Sequence, residues 1–215
     1  MRNHLVRLWG MMRDASYFFR NGDIPDPDQS FVERFRHLLY NRIEWIVLTR
    51  SLEEPLPAIK SRVEIDYSVA TAADLSRLRD IVFPSRLSYF RKRLEHGRTC
   101  IFAIHQGRVV AYCWATGELN SEIDNLELRL KPGDAYTDDL YTVPEFRRHR
   151  IGTATNLSVL NYLQERGFKR AVKIVRENNN PALRMDEKLG FLESDHLVFR
   201  RILTSRDYHY AKGEF

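Results

Sequence analysis

The stretch EFRRHRIGTATN, Glu145 to Asn156, sets three arginines and a histidine directly before an Ile-Gly-Thr-Ala helix start. A strand-like segment runs into Pro144 just upstream, so the free N–H groups of the new helix lie where a strand ends. Helix N-termini bind anions, and arginine presents a fork of donors that matches phosphate oxygens. One phosphate would leave several of these cations unused. The stretch therefore predicts a site for a diphosphate or a ligand with several phosphates, with a solvated basic turn as the alternative.

The composition indicates a globular chain. Its 215 residues suit one domain with an appendage, and a hydrophobic content of 43% supplies a packed core. A net charge of +5 favours a phosphate-bearing ligand, nucleic acid or an anionic membrane as partner. Cys100 and Cys113 lie in apolar runs without CxxC spacing, so we expect two reduced, buried thiols and no metal site. The apolar run Val109 to Ala115 is too short to span a bilayer, and we expect a cytoplasmic protein.

The first 62 residues are predicted to be an extension. Residues 1–20 have the spacing of an amphipathic helix, a second short helix carries Val32, Phe35 and Leu39, and Ile43 to Leu48 reads as a strand. The N-terminal helix is expected to pack on its own domain or on a second subunit, as in a homodimer, rather than on a membrane. Residues 63–205 form the predicted main domain, and residues 206–215 a C-terminal tail.

The main domain alternates strands with helices, which points to a mixed α/β or α+β sheet. Strands are predicted by alternating or short apolar runs, and helices by three- and four-residue spacing with Gly at the C-terminal ends. In chain order the predicted elements are the strand 63–69, a helix capped by Thr71 and Asp74 that carries Leu75, Leu78 and Ile81, a helix at 87–96, two strands flanking His105-Gln-Gly107, the polar segment 118–133, a strand at 135–142, a helix from Gly152 to Gly167, the strand AVKIV, a helix at 179–189 and a strand at 196–203.

Two motifs resemble the GNAT acetyltransferase superfamily. VPEFRRHRIGTA is similar to the pyrophosphate-binding motif of that family, with Arg147 in its first place and Gly152 in its last. Downstream, NNPALRMDEKLGF is similar to a later signature in which an Asn precedes an Ala by three residues and a helix ends in Lys-x-Gly-Phe. The resemblance covers residues 63–203. It implies an α+β fold with a mostly antiparallel, twisted sheet, a V-shaped splay between two strands, and helices on both faces.

The resemblance also implies an activity, namely direct transfer of an acetyl or short acyl group from acetyl-CoA to a primary amine. The β-strand residues before Pro144 would bind the pantetheine arm and polarise the thioester, and the amides of the cationic turn would hold the pyrophosphate. The cofactor-binding residues implied in this way are Leu140, Tyr141, Thr142, Arg147, Arg148, His149, Arg150, Ile151, Gly152, Thr153 and Asn179. The acceptor would be a small-molecule or peptide amine.

Two residues depart from the family pattern. Arg150 stands where the motif usually has its first Gly, and a side chain there either crowds the phosphates or adds a phosphate ligand; we favour the ligand. Asp186 stands where many members carry a Tyr that protonates the departing thiolate, and a carboxylate is a poor proton donor at neutral pH. Asp186 is thus either a solvated helix residue or an acid activated by burial, and Tyr141 or a water molecule could serve instead.

The general base is predicted to be Asp138 or Asp139, which precede the pantetheine-binding segment. Because side chains alternate along a strand, at most one of them is expected to face the notch. Glu118, His105 or a water molecule are the other candidates. Acidic residues in the segment 118–133 would favour a cationic or amino-sugar acceptor.

Two rival functions are a module that binds CoA without turnover and a nucleic-acid binder. The second lacks aromatic residues interleaved with its cations and lacks a dense basic helix stripe, so no nucleic-acid partner is expected.

Overall fold

The structure is a computed structural model that describes residues 40–119, 128, 130–202 and 205–210. The predicted helices of residues 1–20 and 32–39, most of the acidic segment 118–133 and the end of the predicted tail lie outside the described residues. The chain divides into two compact units, residues 1–44 with 198–209 and residues 45–197 with 210–215. The second, larger unit contains the predicted site.

The described residues form eight strands and three α-helices. The strands are β1 (Tyr40–Ser51), β2 (Asp66–Val69), β3 (Thr99–His105), β4 (Arg108–Thr116), β5 (Asp134–Thr142), β6 (Arg170–Arg176), β7 (Leu192–Ile202) and β8 (Ser205–Tyr210). The helices are α1 (Pro84–Glu95), α2 (Ile151–Glu165) and α3 (Asn180–Lys188), with 3-10 helices at Asp74–Leu78 and Pro144–Phe146.

The strands of the larger unit follow the order β2-β3-β4-β5-β6-β1-β7 across one sheet. The pairs β2–β3, β3–β4, β4–β5 and β1–β6 are antiparallel, and β5–β6 is parallel. The parallel pair is possible because α2 forms the crossover between its strands. This arrangement confirms the predicted mixed, mostly antiparallel sheet.

Strand β1 lies inside the sheet. Residues 45–51 pair antiparallel with β6, from Trp45 opposite Arg176 to Ser51 opposite Arg170. Ile46, Val47 and Leu48 are buried, and Val47 has no exposed surface. The sequence predicts a strand at 43–48 but assigns it to the extension, because a strand pattern does not specify its neighbours. In the structure this segment is an interior strand, so the main sheet begins before residue 62.

Helices cover both faces of the sheet, as predicted. On one face, which we call the α2–α3 face, Leu157, Leu160 and Leu163 of α2 pack with Cys113 and Ala171. On the other, the α1 face, Phe90 of α1 and Leu75 and Leu78 of the first 3-10 helix pack with Phe102 and Trp114. The sheet is therefore the middle of three layers.

The strands β5 and β6 separate soon after they begin to pair. Their register contains three pairs, Asp134–Arg170, Ala135–Ala171 and Tyr136–Val172. Both strands continue for several residues, to Thr142 and Arg176, without further pairing to each other. This divergence is the predicted V-shaped splay, and it opens toward the C-terminal ends of both strands.

Several local predictions hold and three need correction. The turn between β3 and β4 has positive φ at Gln106 and Gly107, and Gly190 ends α3 with a φ of 80°. The predicted helix after Thr71 is a 3-10 helix, although Asp74 Oδ2 accepts hydrogen bonds from the Thr71 backbone N–H (3.0 Å) and hydroxyl (2.6 Å) as a capping residue would. The strand predicted at 63–69 starts at Asp66 and is exposed, and the one predicted at 196–203 starts at Leu192.

Both cysteines are free and buried, which confirms the prediction for Cys100 and Cys113. Their side chains lie on opposite faces of the sheet, with Cys100 on the α1 face and Cys113 on the α2–α3 face. Across the described residues, none of the helices has the length and apolar character needed to cross a membrane.

If β1 is an interior strand, a buried charge there will unfold the domain. We expect Val47→Asp to lower the free energy of unfolding by about 4 kcal/mol or more, because an unpaired carboxylate is placed in the core. Urea denaturation measures this loss. The matched control is Val69→Asp on the edge strand β2, where Val69 is 48% exposed and less than about 1 kcal/mol should be lost. Equal effects at the two positions would contradict the interior placement of β1.

Candidate active site

The cationic turn connects β5 to α2 and is tied back to the sheet. Its first residues form the 3-10 helix Pro144–Phe146, and Arg147 Nε then donates to the carbonyl oxygen of Thr142 at 3.2 Å. The carbonyl of His149 accepts from the backbone N–H of Arg62 at 2.9 Å. The turn is thus held at two points, by the side chain of Arg147 and by the carbonyl of His149, while residues 147–150 stay exposed.

Two arginines of the turn adopt left-handed backbone conformations. Arg148 has a φ of 66° and Arg150 a φ of 61°, the region where glycine is normally used. Arg150 is the N-cap of α2, and its side chain makes no capping hydrogen bond. Arg150 therefore departs from the family motif in residue type, but its backbone keeps a conformation typical of glycine. The first amides of α2 receive no side-chain acceptor and can serve an anion.

The cations of the turn lack carboxylate partners among the described residues. Arg147, Arg148, His149 and Arg150 form no ion pair with any described Asp or Glu. The acid within the turn, Glu145, instead pairs with Arg108 at 2.8 Å. The turn therefore carries uncompensated positive charge at the positive end of the α2 dipole.

Gly152 brings the start of α2 against β5. A Cβ atom at this position would lie 3.1 Å from Thr142 Oγ1 and 3.8 Å from Leu140 Cδ2. An added Cβ would press on the Thr142 hydroxyl, so glycine favours this close approach of helix and strand. Gly152 thus fixes the cationic turn beside Leu140 and Thr142, the residues predicted to bind the thioester arm.

The edge of β5 that faces β6 has no ladder partner in the described chain after Tyr136. Residues 140–142 are half-buried and still pair with β4 on their other edge, Tyr141 with Tyr112 and Thr142 with Ala111. Because backbone N–H and C=O groups require partners, this open edge can bind an extended, amide-containing chain as an added strand would be bound.

A bulge in β5 turns both candidate base residues to the same face. The register with β4 shifts between Tyr112 and Trp114, and Asp139 has a φ of 51°. Asp138 and Asp139 consequently both contact Arg93 of α1, instead of alternating as predicted. The alternation rule fails here because the bulge adds a residue to the strand.

Three arginines surround the two carboxylates on the α1 face. Arg93 donates to both Asp138 and Asp139, Arg86 donates to Asp139 Oδ1 at 2.6 Å, and Arg98 lies 3.5 Å from Asp138 Oδ1. Arg93 is almost fully buried and stacks on Trp114, with its guanidinium carbon 4.4 Å from the ring centroid. Burial raises the pKa of Asp139 to about 6, against the opposing effect of Arg86. A carboxylate with that pKa can accept a proton at neutral pH.

Tyr141 lies on the α1 face as well. Its ring stacks on Tyr112 with centroids 5.6 Å apart and an interplanar angle of 24°. The neighbouring Leu140 packs instead on the α2–α3 face. The splay is thus lined by different chemistry on its two sides.

Asp186 is not a solvated helix residue. It is 1% exposed, and its Oδ1 accepts from Lys173 Nζ at 2.7 Å and from Asn156 Nδ2 at 3.1 Å. These partners come from β6 and α2, so one buried polar group joins three elements on the α2–α3 face. Asp186 is therefore buried, which was one of the two alternatives from the sequence, and it is paired with the ammonium of Lys173.

Asn179 is the N-cap of α3, and its Oδ1 accepts from the backbone N–H of Ala182 at 3.3 Å. This bond explains the Asn-to-Ala spacing of the second motif, because an N-cap side chain satisfies an N–H two or three residues on. The contact of Asn179 with the cofactor stays a prediction.

A sequence model of the acetyltransferase (GNAT) family matches residues 67–191 of the chain. This match spans more than half of the sequence, and the chain belongs to the GNAT acetyltransferase family. Members of this family transfer acyl groups from acyl-CoA. A search among curated proteins finds no match.

Solved structures share the fold at low sequence identity. A tandem GNAT protein of the clavulanic acid biosynthesis pathway matches 86% of this chain with 17% identity and a TM-score of 0.57. A GCN5-related N-acetyltransferase from Sphaerobacter thermophilus matches 80% with 15% identity and a TM-score of 0.54, and a Drosophila protein matches 84% with 13% identity and a TM-score of 0.55. The chain spans 62%, 56% and 60% of these three proteins, respectively.

Sequence reasoning missed the partners of the predicted residues. Arg86, Arg93 and Arg98 lie 40 or more positions before the carboxylates that they bind. Lys173 is the one charged residue within the apolar run AVKIV. A lysine in a buried strand needs a counter-ion, so this pattern is the signal that could have indicated the pair. Asn156, two turns into α2, gave no signal.

The left-handed backbone at Arg150 predicts a stability gain on substitution by glycine. We expect Arg150→Gly to raise the free energy of unfolding by about 0.5–1 kcal/mol, because a side chain in this region is strained. Thermal and urea denaturation measure the change. Arg147→Gly is the matched control, since it removes the same charge from the same turn at a φ of −68° and should lower stability. A loss of stability in both variants would contradict the strained backbone.

Proposed function

We propose that the protein transfers an acetyl or short acyl group from acetyl-CoA to a primary amine, by direct attack of the amine on the thioester. The observation that carries this proposal is the divergence of β5 and β6 beside an uncompensated cationic turn. The divergence leaves an open edge on β5. The turn just beyond the C-terminal end of β5 supplies groups that can donate hydrogen bonds to phosphate.

The residues fit the two halves of the cosubstrate. The amides of residues 151–153 and the side chains of residues 147–150 would hold the diphosphate, with Arg150 as an added ligand. The open edge of residues 140–142 would bind the amides of the pantetheine arm. A backbone N–H of this edge would polarise the thioester carbonyl and stabilise the oxyanion that forms on attack.

The acceptor amine would approach from the α1 face. In this proposal CoA would lie on the α2–α3 face, where α2 packs, and the acceptor would reach it through the splay from the other face. Asp138, Asp139 and Tyr141 lie on the α1 side of the splay. We assign Asp139 as the general base, because its raised pKa suits proton abstraction from an ammonium at neutral pH.

A module that binds CoA without turnover is the second candidate. It is favoured by one observation, that arginines engage Asp138 and Asp139 and so compete with a substrate for the base. Release of free thiol from acetyl-CoA, measured with amino sugars, polyamines and peptide N-termini, separates the two functions. Thiol release that depends on one of these amines excludes the module.

CoA binding tests the cationic turn directly. We expect Arg147→Ala to weaken CoA binding roughly tenfold in calorimetry at low salt, because a charge-assisted hydrogen bond to phosphate is lost. Added salt should narrow the difference, since the site is exposed. Arg150→Gly should change the affinity modestly in the same direction.

The matched control is Arg79→Ala, an exposed arginine beside the α1-face 3-10 helix. It removes the same charge from the domain but should leave CoA affinity unchanged. Equal weakening in both variants would mean that the turn acts only through net charge, and tighter binding by Arg150→Gly at every ionic strength would refute its role as a ligand.

The assignment of Asp139 predicts a pH dependence. Its carboxylate accepts a proton only when ionised, so kcat/KM should fall as pH drops below about 6, where Asp139 becomes protonated. Asp139→Asn should remove this acid limb and lower kcat about 100-fold. The pH profile of kcat/KM should be measured with amines of different basicity. A limb due to Asp139 keeps the same midpoint pH with every amine, whereas a limb due to ionisation of the amine shifts with the pKa of that amine.

Asp138→Asn is the control for this prediction. It removes an equal charge from the same arginine cluster and should retain the acid limb. A limb that persists in Asp139→Asn would transfer the role of base to another group.

A further inference from the structure

Lys173 occupies the vertex of the splay. It is the first residue of β6 beyond the last pair with β5, Tyr136–Val172. Its strand neighbours at two-residue spacing, Ala171 and Val175, belong to the core of the α2–α3 face, so Lys173 points to that face. This is the face on which the proposed phosphate site begins.

The ammonium of Lys173 is fixed in place and nearly excluded from water. The residue is 6% exposed, and Nζ lies 2.7 Å from Asp186 Oδ1 and 4.7 Å from the centroid of the Phe191 ring. Asn156, which is fully buried, donates to the same oxygen of Asp186 at 3.1 Å. An ammonium has three N–H groups, and Asp186 Oδ1 accepts one of them.

Two buried acceptors of this group have no donor in the described part of the chain. They are Asp186 Oδ2 and Asn156 Oδ1. Buried polar atoms are nearly always hydrogen-bonded, so an orphaned pair beside an ammonium points to a polar group supplied by water or by a ligand. The two acceptors call for a donor such as water, whereas the remaining N–H groups of the Lys173 ammonium can donate to an atom that gains negative charge, as a departing sulfur does.

From this arrangement we infer that Lys173, held by Asp186 and Asn156, is a catalytic residue that stabilises the departing CoA sulfur and gives it a proton. The inference rests on the proposed acyl transfer. Asp186 and Asn156 are positioning residues, because they act through Lys173.

The proton balance of the step is closed. The amine nitrogen forms a bond to the thioester carbon, and the C–S bond breaks with its electron pair on sulfur. Asp139 takes one proton from the acceptor ammonium before attack and passes it to solvent, and it takes a second proton from nitrogen after attack, while Lys173 gives one ammonium proton to sulfur. Solvent then returns a proton to Lys173 and removes one from Asp139, so the net products are an amide and the free thiol.

The alternative is an ion pair that only stabilises the fold, and the thiol of bound CoA distinguishes the two. An ammonium next to sulfur favours the thiolate, so the pKa of the CoA thiol should be at least about one unit lower when bound than when free. Ultraviolet absorbance of the thiolate during a pH titration measures this without turnover. The protein thiols do not interfere, because burial raises the pKa of Cys113 to about 12 and that of Cys100 well above its ordinary value.

The titratable groups that face Lys173, among those the structure describes, are Asp186 from α3 and the Cys113 thiol from β4. Both groups are present in the wild-type protein, so the pKa of the bound CoA thiol already includes their effects. That wild-type pKa alone decides whether the inference stands. A bound thiol with the pKa of free CoA overturns the inference.

The test variant is Lys173→Gln combined with Asp186→Asn, which removes both charges together, since loss of one partner would leave a buried charge unpaired. We expect CoA affinity within about threefold of wild type, a thiol pKa equal to that of free CoA, and a kcat at least about tenfold lower. The matched control is Arg170→Gln with Asp134→Asn, which neutralises the ion pair at the closed end of the same two strands.

The control should leave both the thiol pKa and kcat unchanged. An unchanged kcat in the Lys173→Gln, Asp186→Asn variant, with CoA bound, would refute the role of Lys173 and leave the acyltransfer proposal standing. Wild-type protein that fails to bind CoA would overturn both.

Discussion

The end of hydrogen bonding between β5 and β6 after Tyr136–Val172 is the constraint on which the site depends. A parallel sheet that continued to pair would satisfy its backbone groups internally and leave no edge for a ligand. Here α2 starts against β5 at Gly152, where an added Cβ would crowd the hydroxyl of Thr142. The open edge and the cationic turn are therefore products of one local geometry, in which a strand leaves the ladder and a helix begins beside it.

The bulge at Asp139 gives the two faces of the splay their different chemistry. It sends Asp138 and Asp139 to the α1 face, where arginines hold them in a half-buried cluster. Lys173 and Asp186 form a smaller, drier pair on the α2–α3 face. The proposed base Asp139 and the proposed acid Lys173 thus lie on opposite faces of the sheet at the same opening.

Local sequence patterns predicted most strands and helices because their signals are local. Short apolar runs predicted β3, β4 and β6, and Gly167 and Gly190 ended their helices as expected. The placement of β1 could not be predicted, since its partner β6 lies more than 100 residues away in the chain. The bulge was equally hidden, because Asp139 adopts a positive φ without the Gly that usually marks one. The cofactor residues followed from the family resemblance, whereas their charged partners needed the fold.

Asp186 and Lys173 depend on each other in the structure. A tyrosine at position 186 would leave the buried ammonium of Lys173 without its counter-ion, and a carboxylate there without Lys173 would itself be an unpaired buried charge. Each residue therefore makes sense only with the other. Seen alone, Asp186 suggests a lost proton donor and an impaired enzyme. As a pair, the two residues place a buried ammonium at the vertex of the splay, on the strand instead of the helix.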